Sequence, residues 1–228
     1  MESLTETVVE IDLSEKSLRE LNSELHNPTA SNYRVLNPRG GHSVAAGVKD
    51  PINVEIEGDV GYFCAGMHQH GNITINGMAG PGVAENMMSG VVHIKGHASQ
   101  SAAATAHGGL LIVEGNASTR CGISLKGGDI VIKGNMGSKA AFMAQAGRIV
   151  VCGDAGEDLG DSIFEARLYV RGEVASLGAD CIEKEMRPEH REELVQLLKD
   201  AGMEEEANDD AYVDSFTRYG SARTLYNF

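Results

Sequence analysis

Ile73-Thr74-Ile75-Asn76-Gly77 is followed nineteen residues later by Val92-His93-Ile94-Lys95-Gly96. The same pattern, apolar-x-apolar-x-Gly, ends at Gly58, Gly77, Gly96, Gly115, Gly134, Gly153 and Gly172, six intervals of nineteen without a slip. Its apolar pairs are Val54/Ile56, Ile73/Ile75, Val92/Ile94, Leu111/Val113, Ile130/Ile132, Ile149/Val151 and Leu168/Val170. Alternation of period two marks a short strand. The glycine after each pair reads as a turn residue free to adopt positive φ. Other columns keep step: Ala65, Ala84, Ala103, Gly122, Ala141, Gly160 and Ala179 are all small, and a second glycine column runs Gly71, Gly90, Gly109, Gly128, Gly147.

The period selects the architecture. Nineteen residues are too few for the paired helices of a ~33-residue ankyrin or ~34-residue tetratricopeptide unit. The Leu and Asn consensus of a leucine-rich repeat is missing. A coil of short strands joined by glycine turns fits: an all-β fold, a parallel β-helix (β-solenoid) of about seven 19-residue coils. Crossovers between parallel strands are normally right-handed. Stacking at ~4.8 Å per strand makes a rod about 30 Å long.

Three segments follow. Residues 1–37 form an N-terminal arm, with a strand over Thr7–Asp12 and a short helix over Ser14–Leu25 capped by Ser14. Residues 38–180 are the solenoid. Residues 181–228 hold an amphipathic helix over Pro188–Ala201 with Gly202 at its end, an acidic linker over Glu204–Asp210, and an aromatic-rich tail over Asp214–Phe228. The residue between each apolar pair points outward. That column reads Glu55, Thr74, His93, then Ile112, Val131, Val150, Tyr169. The apolar half is a stripe needing cover, and the Leu194/Leu197/Leu198 face of the nearby helix is the expected cover.

Lys and Arg total 19 against 33 Asp and Glu, a net charge of −14. That excludes a basic face for nucleic acid and attraction to anionic membranes. The charge sits at the ends: residues 1–27 carry seven acids and two bases, and residues 181–228 carry twelve and six. The opening Met1-Glu2-Ser3-Leu4 lacks the basic-then-apolar pattern of a signal peptide. No apolar run reaches the ~18 residues of a membrane span. The four cysteines form no Cys-x-x-Cys pair. A reduced, cytoplasmic setting is expected.

No residues combine into a catalytic, cofactor-binding or metal site. His68-Gln69-His70 and His93/His97 are the histidine clusters, but no carboxylate or thiol shares their columns, whereas zinc needs three or four converging ligands. They read as surface or turn histidines. Cys64 and Cys121 share a column three coils, ~14 Å, apart, too far for a disulfide, and read as structural thiols. Cys152 points outward before a turn, and Cys181 follows the last coil. Glycine strings lack a Walker or dinucleotide pattern. The period breaks the six-residue subrepeat of hexapeptide acyltransferases. The acidic trio Glu157, Asp158 and Asp161 has no basic residue in register, unlike pectin-cleaving solenoids.

The unit Gly71-Asn72-Ile73-Thr74-Ile75-Asn76-Gly77-Met78-Ala79-Gly80, returning as Gly147-Arg148-Ile149-Val150-Val151-Cys152-Gly153-Asp154-Ala155-Gly156, resembles the GXGXG domain of large-subunit glutamate synthases, also found as a subunit of formylmethanofuran dehydrogenases. Standing alone, the chain is similar to the middle subunit of N-methylglutamate synthase (methylamine–glutamate N-methyltransferase) and to the GlxC proteins. The resemblance implies a right-handed β-helix without catalytic residues, inactive by itself, joining an amidotransferase-like subunit to an FMN-binding glutamate synthase-like subunit. FMN and any iron–sulfur cluster would belong to that partner, with no cofactor in this chain. The alternatives are a detached GXGXG subunit of a glutamate synthase or formylmethanofuran dehydrogenase, and a homomeric solenoid binding module without an enzyme partner.

Overall fold

The structure is a computed structural model in which residues 5–223 are described. Strands β2 (Ala30–Leu36), β3 (Asn53–Glu57), β4 (Asn72–Ile75), β5 (Val91–Ile94), β6 (Leu110–Val113), β7 (Lys126–Ile132), β8 (Ala146–Val151) and β9 (Arg167–Val170) pair in parallel, each with the next. Register follows the repeat, with Ile73 opposite Val92 and Ile75 opposite Ile94. This is a parallel β-solenoid. A second line of parallel bridges, Val60–Ala79–Ala98–Ala117–Met136–Ala155–Val174, stacks another side of each coil. Strand β1 (Thr5–Asp12) pairs in parallel with β2 and extends the same sheet.

Inside the coils the paired residues of each strand are sealed from water: Ile56, Ile75, Ile94, Val113, Ile132, Val151 and Val170 are all fully buried. Between them lie the small or thin side chains of Ala84, Ala103, Cys121 and Ala141. Equivalent atoms of neighbouring coils are only one strand spacing apart, so a column of large side chains next to another would overfill the interior.

The turn glycines behave differently from expectation. Within the Gly58–Gly172 column only Gly58 has positive φ (129°). The others are needed because coils approach closely there. The N–H of Gly115 donates to the Gly96 carbonyl at 3.0 Å, and that of Gly134 to the Gly115 carbonyl at 3.1 Å. Beside this backbone ladder runs a side-chain one. His97 Nδ1 accepts from the Asn116 N–H at 2.8 Å, Asn116 Oδ1 from Asn135 N–H, Asn135 Oδ1 from Asp154 N–H and Asp154 Oδ1 from Glu173 N–H, each at 2.9 Å. Each acceptor occupies the space that a Cβ on the adjacent glycine of the next coil would take. Left-handed backbone falls instead in the second glycine column, as at Gly71 (80°), and at Ala65, Ala84, Ala103 and Ala141.

The N-terminal mouth is closed by α1 (Leu18–His26), whose Leu21 and Leu25 are fully buried against the core. Its N-cap is Ser17, not Ser14: Ser17 and Glu20 form a reciprocal capping box. Ser14 instead donates its hydroxyl to Asp12 Oδ1 at 2.7 Å, in the turn that leaves β1. A capping box satisfies two orphan donors at once, which outweighs a lone Ser at the earlier position.

At the other end, β10 (Cys181–Lys184) and β11 (Thr217–Ser221) are antiparallel, and β11 inserts between β9 and β10. Between them in sequence lie α2 (Pro188–Asp200), α3 (Glu204–Ala207) and α4 (Asp210–Val213). The acidic segment 204–210 is thus largely helical rather than an open linker. Ala207 and Val213 are buried, and that burial supplies the stability that propensity alone lacks in so short a helix. The part of the aromatic tail beyond residue 223 lies outside the described residues.

The outer face of the sheet carries the expected cover. Ile112, Val131, Val150 and Tyr169 form a second core with Leu194, Leu197 and Leu198 of α2, joined by Met203, Ala207, Val213 and Phe216.

Candidate functional site

The covering helices are pinned through one carboxylate. Glu193 on α2 receives Arg167 Nη2 at 2.8 Å, Arg148 Nη1 at 3.4 Å and the Tyr169 hydroxyl at 2.5 Å. Arg148 also forks onto Asp129. Burial works against ionising Glu193, but the bonds from Arg167 and Tyr169 hold its pKa below the usual carboxylate value. These arginines stack in one column with Asp129, so the network locks α2 to three successive coils.

His93 sits where the covered half of the face gives way to the open half. A carboxylate does reach it: Glu114, two residues along the next coil, accepts from or pairs with His93 Nε2 at 2.6 Å and with Lys133 Nζ at 3.0 Å. Column projection missed this because the contact is diagonal. Burial, helped by Lys95 and Lys133, keeps the His93 pKa below its ordinary value despite Glu114. The group is a surface ion cluster of His93, Glu114, Lys95 and Lys133.

His68 corrects the surface reading outright: it is fully buried. Its column partners Met87, Ala106, Leu125 and Ala144 are apolar. Nε2 lies 3.1 Å from the Gly71 carbonyl, and Nδ1 has no partner. Burial lowers its pKa from 6.5. An unfolded chain therefore takes up this proton first, and native stability falls as pH drops through about 6.5 towards the lower folded value. Chemical denaturation at pH 7.5 and 5.5 should show a smaller loss for His68→Met than for the parent chain. An equal loss would remove His68 from this role.

All four thiols are buried. Burial pushes Cys64 and Cys121 up to about 12 and Cys181 up to about 11. They are neutral side chains filling space, and reactive thiolates need the opposite environment. Cys152 does point outward, but the C-terminal helices cover it. Among the described residues no three His, Cys, Asp or Glu side chains gather as a metal site, so the thiols do not fit a cluster. No helix among them is long and apolar enough to cross a membrane.

What sequence columns did not single out is an apolar edge. Among the described residues ten large hydrophobic side chains are exposed, and eight of them, including Tyr62, Phe63, Met67, Met88, Met143 and Phe164, lie on the turn segment between the strand-following glycine and the next strand. Tyr62 and Phe63 are each 48% exposed and Met67 54%. Phe63, Met67 and Met143 have φ of 58°, 57° and 54°. Bulky residues in left-handed backbone are disfavoured by about 1–2 kcal/mol. The same two columns elsewhere carry Gly82 and Ser101, or Asn86 and Thr105. Large apolar groups held at strained, solvent-facing positions suit contact with another chain better than stability of this one. Phe63 and Met67 wall a cleft of about 290 Å³ with Ala46, Gly66, Glu85 and Asn86. The signal was available, as bulky residues breaking otherwise small or polar columns.

No protein-family model matches the chain. It is 59% identical over 222 residues, 96% of its length and 95% of the relative's, to Protein GlxC of Rhizobium meliloti (strain 1021). Its fold is similar to that of a chain in the formyltransferase/hydrolase complex FhcABCD from Methylorubrum extorquens, solved in complex with methylofuran. The TM-score is 0.70 at 21% identity, over 89% of this chain and 90% of that one.

Proposed function

The chain belongs to the GlxC family, and from that premise we propose that it is a non-catalytic structural subunit of a heteromeric, glutamate synthase-like enzyme. The observation that carries this is the apolar edge, where Phe63 and Met67 are kept exposed at backbone positions that disfavour them. Membership of the multi-subunit FhcABCD complex by a chain of this fold supports an assembly role. The finer reading is N-methylglutamate synthase, in which methylamine and glutamate yield N-methylglutamate and ammonia. The GXGXG-like repeat carries that reading. An amidotransferase-like chain and an FMN-binding synthase-like chain are the partners, and flavin chemistry belongs to the latter. This chain binds no flavin and turns over no substrate alone. Its residues hold the two partners at a fixed separation.

The test is co-expression of the three chains, capture on this one, and measurement of methylamine-dependent ammonia release from glutamate. Phe63→Asn with Met67→Asn is the informative variant. Asn tolerates left-handed backbone, so the isolated chain should gain up to about 1 kcal/mol in stability while capture of a partner falls. Undiminished capture of both partners would defeat the assembly role. Intact capture in the parent complex without methylamine-dependent turnover would defeat only the finer reading.

A further inference from the structure

A cavity of about 480 Å³ opens where the last coils meet the antiparallel pair β10 and β11. Its wall includes Phe164, Glu165, Arg167, Lys184, Arg218 and Arg223. Four cations thus face one acid in a chain of net charge −14. Two of them are already matched: Arg167 is bonded to Glu193, and Arg223 to Asp180 at 2.8 Å. Among the described residues Lys184 and Arg218 have no acidic partner within ion-pair distance, and they stand directly opposite each other across the β10–β11 ladder. Like charges directly opposite on neighbouring strands destabilise a sheet. The arrangement is completed if something negative sits between them.

Arg218 shows the same deficit at atomic level. Its Nη1 donates to the Glu185 carbonyl at 3.1 Å, while Nε is buried with no partner. A buried donor left unmatched costs about 1–3 kcal/mol, more on a charged group. Burial, with Arg167 and Arg187 close by, lowers the Arg218 pKa from its ordinary value despite Tyr169 and Glu193. With Arg167 and Arg223 paired elsewhere, Lys184 and Arg218 leave the cavity wall with more positive charge than Glu165 can balance. Beside it Phe164, 45% exposed, offers an apolar surface at the end of the apolar edge. The volume falls within the ~300–1,000 Å³ of small-molecule sites.

We propose that this cavity binds a small organic anion, its carboxylate or phosphate oxygens set between Lys184 and Arg218 and its apolar body against Phe164. The site shares Phe164 with the apolar edge, but binding by the isolated chain stands or falls independently of the assembly role.

The full-length chain is titrated calorimetrically with inorganic phosphate, succinate and phenyl phosphate at constant ionic strength held with sodium chloride, and its thermal midpoint is followed in parallel. Each oxyanion should raise the midpoint where chloride does not, and whichever of phosphate and succinate binds more tightly names the preferred headgroup. Phenyl phosphate should bind roughly tenfold more tightly than phosphate, an advantage lost in Phe164→Ala. Lys184→Gln and Arg218→Gln should each weaken binding by roughly tenfold or more. Arg191→Gln, whose partners are Asp210 and Asp214, should leave it unchanged. If Arg218→Gln fails to fold, Lys184→Gln decides. Oxyanions indistinguishable from chloride, or unchanged affinity in Lys184→Gln, would overturn the proposal.

Discussion

Replacing Gly115 with Val should cost about 2–6 kcal/mol and lower the thermal midpoint by roughly 10 °C. A Cβ at this position would enter the space of the His97 ring and stand 2.8 Å from the Gly96 carbonyl oxygen. Neither can retreat cheaply. His97 Nδ1 is bonded to the Asn116 N–H, and the Gly96 carbonyl to Gly115 itself. Overpacking accounts for about 1–3 kcal/mol, and the broken rungs of the ladder for about 1–3 more. Gly202→Ala is the matched control. Gly202 has φ of 73° and nothing within 4 Å of where its Cβ would be, so only backbone strain of about 1 kcal/mol is expected. Denaturant titration of both variants separates the mechanisms. A Gly115→Val chain no less stable than Gly202→Ala would show that close approach of coils is not what the glycine column serves.

Truncation after Cys181 should make the chain aggregate or bind an apolar dye strongly. It uncovers Ile112, Val131, Val150, Cys152 and Tyr169 and leaves β9 without its antiparallel neighbour β11. Burial of Leu194, Leu197 and Leu198 alone contributes on the order of 5–9 kcal/mol. The edge and the stripe are distinguished by Leu197→Asp in the full chain, which leaves residues 217–221 present but forces a charge into a site 1% exposed. Hydrogen exchange should then quicken across α2 and across residues 110–113 and 126–132. A soluble truncated chain with those strands still protected would sink this account of the cover.

The solenoid and its cover were legible because both rest on strict periodicity. Val54 to Val170 alternate at period two and recur every nineteen residues, and stacking turns such a pattern directly into columns. The stripe from Ile112 to Tyr169 followed from the same arithmetic. Interactions that step diagonally between columns were not legible. His93 meets Glu114 two residues out of register, and His97 serves the backbone of the next coil rather than a metal. The reason for the glycines was misread for the same cause: a nineteen-residue column of Gly signals a restriction, but conformation and contact give the same letter. His68 was misplaced because its residue type outweighed its apolar column. The edge of Phe63, Met67 and Met143 is not legible from the repeated positions, because these side chains depart from columns that are otherwise small or polar.

Fixed stacking also turns the molecule into a gauge with discrete graduations. Phe63 in the first coil and Phe164 in the sixth are separated by five rungs, about 24 Å at ~4.8 Å each. Extra residues within a coil do not alter that spacing. Tyr33 and Val54 are 21 positions apart yet still face each other across one ladder step, so the surplus is accommodated around the coil's perimeter. Only gain or loss of a whole coil changes the axial distance, and it does so by one strand width. The distance between the two ends can therefore be reset in single-rung increments while every interior column remains in line, a mechanical property that a scaffold of packed helices, with their continuously adjustable crossings, does not have.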